Sequence, residues 1–423
     1  MGTGGAARAF GVVFSARIAA AGAAFVATIL IARFLGPDRF GPFAVLLAAV
    51  NVAAGLISPA LDTGMVRFAA QTRAASVAIT GYFFRLKALV ALLTVAAGVV
   101  LAVPLHRLFL AEAEGIGPSA FVIAFACAGV MVLWASVQAW CQAEQRFTRW
   151  AFQEAATGFI RLAWVIPVLL IGGLGERSLL AGYGIAAGAI AVIGALAMPR
   201  EVWRAPKPDP EMRRDIFLFT QWVVLACFAT SLSQRLDVFL LAGYGAPPAT
   251  LGHYNAALNL ALVGELAIMT LFHVLLPKAS ALTDPTEWLI FLKRHQRRAV
   301  AAGILLLPLA GAGGWVVALV FGQDYAEAGP YFGALLIGTA FVLSSAPAGA
   351  VLYSAGHSRV VAILELVKLA CILLAGLAAV PFYGPMGMAI TVAAVRGLVA
   401  IATYIVARVV IARAIRAQAG TSA

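Results

Sequence analysis

The residues able to do chemistry in this chain are the few charged and amide side chains set inside long apolar runs. Arg17, Arg161, Arg235, Lys368 and Arg396 are the cations, and Asp62, Asp237, Glu265 and Glu365 the acids. Each is costly in hydrocarbon unless it faces protein or water. A guanidinium grips a phosphate or carboxylate through two parallel hydrogen bonds. Arg17, Arg161, Arg235 and Arg396 are therefore candidate binders of an anionic group. Asn255 and Asn259 fall along one side of the eighth apolar run, with His273, and add hydrogen-bonding capacity. Asp62, Asp237 and Glu265 sit where desolvation raises a carboxylate's pKa and a nearby cation lowers it, which suits exchange of a coupling proton or sodium ion. Glu365 and Lys368, three apart on a helix, are expected to neutralise one another. Arg17 shares a helical stripe with Ala20, Ala21, Ala24 and Thr28, and Arg161 lies near Thr157 and Gly158. Small residues of this kind let helices approach closely.

The elements that position these residues are membrane helices. The chain of 423 residues is 63% hydrophobic and 11% charged, with a mean hydropathy of +0.96, which is more apolar surface than a soluble core can hide. About 20 apolar residues cross a bilayer as a helix. Twelve such spans are expected, at 10–35, 40–61, 82–104, 118–140, 153–171, 178–198, 216–242, 252–276, 298–321, 328–352, 360–381 and 385–408. The first is too long for a signal-peptide core and reads as a retained helix. Between the first two spans lies a short hinge, Ala32 to Phe43, in which Gly36 supplies positive φ, Pro37 ends a helix and Asp38 caps the next. Pro59, Pro167, Pro308 and Pro347 lie inside spans as candidate bending points. The cysteines, Cys127, Cys141, Cys227 and Cys371, fall in apolar runs without C-x-x-C spacing and read as buried thiols, with no disulfide or metal site.

Basic residues set the orientation. Of the Lys and Arg in the loops and at the span ends, Arg33, Arg39, Arg107 and Arg177 fall on one face and the rest on the opposite face, so both termini are expected to be cytoplasmic. The net charge of +12 reflects this bias and an attraction to anionic lipid headgroups, with no call for nucleic acid. The largest polar segment, 199–215, carries alternating prolines and reads as an extended cytoplasmic linker between six-helix lobes at 1–198 and 216–423. Those lobes look like copies. Past the hinge, Phe43 and Tyr254, Arg67 and Lys278, and Lys87 and Arg298 each stand 211 positions apart. Parallel repeats of this kind occur in transporters, with the site between the halves. Asp284-Pro285-Thr286-Glu287 is a helix start, and the basic amphipathic segment after it is expected to lie along the membrane surface.

Ile31 to Phe43 (I-A-R-F-L-G-P-D-R-F-G-P-F), Asp237 to Gly245 (D-V-F-L-L-A-G-Y-G) and Leu251 to Leu260 (L-G-H-Y-N-A-A-L-N-L) resemble the lipid-linked polysaccharide flippases of the multidrug, oligosaccharidyl-lipid and polysaccharide exporter superfamily. The resemblance implies an all-α fold of about twelve transmembrane helices in two lobes around a central cationic cavity. It implies a bacterial inner-membrane transporter that turns undecaprenyl-pyrophosphate-linked oligosaccharide across the bilayer by alternating access, beside polysaccharide polymerase machinery. It makes the four arginines cavity candidates and matches Asp237 to the acid of the seventh-span motif. Drug exporters and peptidoglycan-precursor flippases of the same superfamily are the alternatives, the latter usually with two further spans. An enzyme such as a glycosyltransferase or polymerase fits poorly. No paired carboxylate, metal-ligand spacing, G-x-S-x-G nucleophile or G-x-x-x-x-G-K-[ST] nucleotide loop is present, and no cofactor is implied.

Overall fold

The computed structural model describes residues 3–71, 75–113, 115–171, 175–282 and 284–421, and among them no strand occurs. The helices are α1 (Thr3–Gly55), α2 (Ser58–Gln71), α3 (Ser76–Phe109), α4 (Ser119–Ala143), α5 (Phe147–Ile171), α6 (Glu176–Leu196), α7 (Arg200–Arg204) and α8 (Pro210–Ser233). They continue with α9 (Leu236–Gly243), α10 (Pro248–Ser280), α11 (Pro285–Ile304), α12 (Leu307–Gly311), α13 (Gly313–Phe321), α14 (Gly329–Ser354) and α15 (Ser358–Thr421). Nine described helices are long and apolar enough to cross a membrane, ten if the pair Pro285–Gly311 and Gly313–Phe321, bent by 76°, forms one span. Two of these, Ser15–Ala69 and Arg359–Gln418, run for 55 and 60 residues. Such rods reach about 80–90 Å, where one crossing takes about 30 Å. Each is interrupted by a glycine of positive φ, Gly36 (φ 68°) and Gly384 (φ 55°), and is long enough to hold two spans. The count is compatible with the expected twelve. Long apolar side chains such as Leu170 and Phe382 are more than 80% exposed, as lipid-facing residues are. The chain is a multi-pass membrane protein.

Two compact units divide it, Met1–Arg235 and Leu236–Ala423. In the N-terminal unit α1 packs along α5, and α4 packs against α1, α2, α3 and α6. A Cβ on Gly158 would stand 2.9 Å from the Ala20 Cα, so glycine is what lets α5 reach the α1 backbone. The buried stripe of α1 is Ala20, Ala23, Ala27 and Ile31, turned slightly from the expected Ala20, Ala21, Ala24 and Thr28. Met65, Phe83, Trp140, Trp150 and Ile216 meet in the core of this unit. Arg39, in the hinge, pairs with Glu176 at the start of α6 at 2.6 Å. In the C-terminal unit α14 is central and packs on α10, α11 and α15. Gly338 gives α14 the same close approach, to Ala393 of α15.

The repeat is legible in the backbone. After α4, Gln145 takes φ 56°, with Arg146 N donating to Cys141 O (2.7 Å) and Gln145 N to Gln142 O (3.0 Å). After α14, Gly356 takes φ 79°, with His357 N donating to Leu352 O (2.9 Å) and Gly356 N to Tyr353 O (3.1 Å). Both are left-handed helix stops with the same pair of closing bonds. They stand 211 residues apart, the offset read from the hinge. Gly245, in the loop that leads to Tyr254, also has positive φ, as Gly36 does ahead of Phe43.

Other expectations changed in detail. The polar segment at 199–215 is extended only from Ala205 to Asp209; it begins as the short helix α7. It is docked on α3, where Arg85 donates to the carbonyls of Ala205 and Pro206, and Gly81 leaves room for the carbonyl of Val202. Asp209 then caps α8 by accepting from Met212 N at 2.7 Å. Asp284 caps α11 as expected, accepting from Thr286 N at 2.9 Å. Pro59 and Pro308 stand in the first turns of α2 and α12, beside breaks, whereas Pro167 and Pro347 lie within continuous helices. The four thiols are free; Cys127 and Cys141 are buried, Cys227 is half-buried and Cys371 is exposed.

Candidate functional site

A polar cavity of about 220 Å³ opens within the N-terminal unit, walled by α1, α2, α4 and α5. Arg17, Asp62, Gln138, Gln142, Trp150 and Glu154 line it, with Trp134 beside them. Helical spacing explains how α4 and α5 contribute. Trp134, Gln138 and Gln142 recur every four residues on α4, and Trp150 and Glu154 do so on α5, so each set shares one face. The Arg17 guanidinium lies 5.1 Å from the Trp150 ring centroid. Glu154 accepts from Gln138 Nε2 at 3.1 Å. The indole N–H groups of Trp134 and Trp150 and Oε1 of Gln138 are buried without a protein partner, as is Nε of Arg161 about two turns further along α5. Buried polar atoms are rarely left unpaired, and a cluster of them marks a place for water or a ligand. The wall therefore offers a cation, N–H donors, a carboxylate and amide oxygens to a polar guest.

Asp62 reaches the same cavity but is held. It pairs with Lys87, whose side chain is fully buried, and accepts from Ser58 Oγ at 3.4 Å. Arg161 stacks its guanidinium 4.1 Å from the Tyr183 ring. Arg235 stands half-buried in the turn after α8, so the seventh expected span, 216–242, is broken there. In the C-terminal unit Arg396 donates to Glu265 at 3.1 Å and to Thr339 Oγ1 at 3.3 Å. Glu365 and Lys368 pair at 2.5 Å, as their spacing predicts. Asp237 is buried, accepting from the Tyr254 hydroxyl at 2.9 Å and from Val238 N at 2.9 Å. Asn255 and Asn259 turn their amide nitrogens back on α10, to Leu251 O (2.9 Å) and Asn255 O (2.8 Å). The side chain of His273 lies outside the described residues. On α11, ahead of the ninth expected span, burial and then the charges of Arg298, Lys278 and Arg294 lower the pKa of His295 below the usual histidine value.

The structure thus brings Arg17 and Asp62 together at one cavity and pairs Arg396 with Glu265. Sequence reading missed Glu154 and Lys87 within spans, and the two tryptophans. Glu154 had a signal, for it lies three and seven residues before Thr157 and Arg161, on the face already singled out on α5. Among the described residues no group of three or more His, Cys, Asp or Glu is placed to hold a metal ion.

The fold is that of solved transporters. An inward-facing multidrug resistance MATE family transporter of the MOP superfamily superposes with a TM-score of 0.73 at 14% identity, over 94% of this chain and 96% of that one. The lipid II flippase MurJ, in an inward closed conformation, gives 0.71 at 12% identity, over 93% of this chain and 85% of that one. A MOP superfamily transporter from Pyrococcus furiosus gives 0.63 at 13% identity, over 95% and 96%. No curated protein matches the chain. The profile of the family described as polysaccharide biosynthesis protein matches residues 6–283, and the chain belongs to that family.

Proposed function

We propose that this protein flips an undecaprenyl-pyrophosphate-linked oligosaccharide, the repeat unit of an O-antigen, capsule or exopolysaccharide, across the bacterial inner membrane. The observation that carries the reading is the polar cavity of Arg17, Gln138, Trp150 and Glu154 inside apolar helices, in a chain of a polysaccharide biosynthesis family. A diphosphate sugar has anionic oxygens for an arginine and hydroxyls that both donate and accept. Indole rings add flat apolar faces for the sugar ring. Its lipid tail stays in hydrocarbon while the head crosses about 30 Å, which calls for a wet path through the protein. On this reading the two six-helix lobes, 1–198 and 216–423, alternate in access about the linker at 199–215. Arg161, Arg235 and Arg396, with Asn255 and Asn259, are further candidate contacts for the substrate. Asp62, Asp237 and Glu265 remain candidate coupling acids, and Glu154 joins them as the carboxylate that shares the cavity with Arg17. Membrane lipids and a polysaccharide polymerase are the expected partners.

The test is flipping of lipid-linked oligosaccharide in proteoliposomes. Arg17→Ala is expected to abolish it with membrane abundance unchanged, and Arg17→Lys to restore it in part because a lysine lacks the bidentate grip. Lost abundance would mark Arg17 as structural. Transport of a cationic drug or of a peptidoglycan precursor in place of the oligosaccharide would shift the reading to another branch of the superfamily. Orientation is checked separately: a reporter in the Pro206–Pro210 linker is expected to be cytoplasmic, and one at Pro247–Pro248 periplasmic. The reverse pattern would invert the direction of flipping.

A further inference from the structure

A cavity in the C-terminal unit is unlike the polar one. It is a groove of about 500 Å³ between α11, α14 and α15, with Val300, Ile304, Leu307, Ile337, Phe341 and Ile401 on its walls. Small residues form its floor. Gly303, Ala340 and Ala400 line it, and a Cβ on Gly303 would stand 3.0 Å from Ala340 O and 3.1 Å from Ser344 Oγ. Its polar lining, by contrast, is gathered toward Gln296 and Tyr404. Gln296 donates from Nε2 to Ser344 O at 2.7 Å, while its Oε1 is buried with no partner. Tyr404 also lines a second cavity, of about 280 Å³, whose wall includes Leu289 and Arg408. Arg408 donates to the Tyr404 hydroxyl at 3.2 Å. On α11 the residues that reach these cavities, Leu289, Gln296 and Val300, follow helical spacing, and Lys293 falls on the same stripe between the first two. Tyr404 is shared by the two cavities, so the polar end of the groove has the Arg408 guanidinium on one side of it and, on Gln296, an acceptor that lacks a donor, with Lys293 exposed on the α11 stripe. Gln296, Tyr404 and Arg408 fall near the start of the ninth expected span and the end of the twelfth, which is where the expected topology puts lipid headgroups.

We propose that this groove holds one acyl chain of an anionic glycerophospholipid whose headgroup bears a free hydroxyl, such as phosphatidylglycerol. The chain lies between α11, α14 and α15, the phosphate meets Arg408 and Lys293, and the headgroup hydroxyl donates to Gln296 Oε1. Charge complementarity selects this occupant over a zwitterionic lipid, and the unfilled acceptor selects a headgroup that donates. The site is separate from the polar cavity, so it calls for a lipid that modulates the protein rather than one that is moved.

The full-length protein in mild detergent, mixed with phosphatidylglycerol or with phosphatidylcholine of the same chains, is examined by native mass spectrometry. One phosphatidylglycerol is expected to stay bound and phosphatidylcholine to be lost. Arg408→Gln is expected to lower occupancy about fivefold, the effect of losing one cation near a lipid headgroup. Ile401→Trp, at a half-exposed wall position, is expected to fill the groove and to lower occupancy at unchanged Tm. Equal retention of both lipids, or full retention by both variants, would overturn the proposal. Displacement of phosphatidylglycerol by an equal concentration of polyprenyl phosphate would overturn it too, by assigning the groove to a prenyl chain.

Discussion

Glu154 in the N-terminal unit and Glu365 in the C-terminal unit hold equivalent places, each nine residues past the left-handed stop of the preceding helix and 211 positions apart. Three residues on, the C-terminal unit has Lys368, which pairs with Glu365 at 2.5 Å. The N-terminal unit has Thr157 there, and its hydroxyl donates to Gln153 O at 2.8 Å. Glu154 thus bonds to Gln138 and faces a cavity, where its counterpart is closed off on its own helix. The pattern recurs with Glu265 and Arg396, whose equivalents by the same offset, Ala54 and Ile185, are apolar. The difference teaches that a duplicated apolar scaffold leaves its polar positions free to diverge. One copy has partnered these charges, and the other presents a carboxylate and a guanidinium to a guest.

The comparison can be broken in three places. The largest effect is expected from Lys87→Met, which leaves Asp62 without its cation and costs about 3–5 kcal/mol of stability. Adding Asp62→Asn should recover most of that loss in thermal unfolding of the detergent-solubilised protein, and no recovery would mean that Lys87 has another role. Next, Glu154→Gln is expected to lower oligosaccharide flipping by more than about tenfold with Tm nearly unchanged, while Glu365→Gln leaves flipping near wild type. Equal effects would erase the distinction between the units. The smallest concerns the helix stops. Gln145→Gly should raise stability by about 0.5 kcal/mol and Gly356→Gln lower it by about 1 kcal/mol, because only glycine adopts positive φ without strain. Tm shifts of the same sign for both would show that the two turns are not equivalent.

Much of the fold was legible in the sequence because apolar runs of 20 or more residues, separated by Gly-Pro and basic segments, have few other solutions. Gly36 and Asp284 behave as their local chemistry predicts. The Glu365–Lys368 pair was visible because its spacing lies within one helix. Asp62–Lys87 and Glu265–Arg396 join different helices, at separations of 25 and 131 residues, which no local period reveals. The site was harder to read for the same reason. Its tryptophans and glutamines look like ordinary residues of an apolar run until α4 and α5 are placed side by side. Arg235 illustrates the opposite failure, since a break at the end of α8 defeats any phasing carried across it.

The segment from Arg200 to Asp209 is among the most polar in the chain, and its exposed Arg200 and Arg204 would mark it for tryptic digestion. Its backbone is nevertheless occupied. Arg85 holds two of its carbonyls, Val202, Ala205 and Pro208 are buried, and Trp203 packs edge-on against Phe84 with ring centroids 5.4 Å apart. A protease can engage such a stretch only after it has peeled from α3, so the cleavage rate at Arg204 would follow the frequency of that peeling. A time course of nicking in membranes would therefore report how often this segment leaves α3.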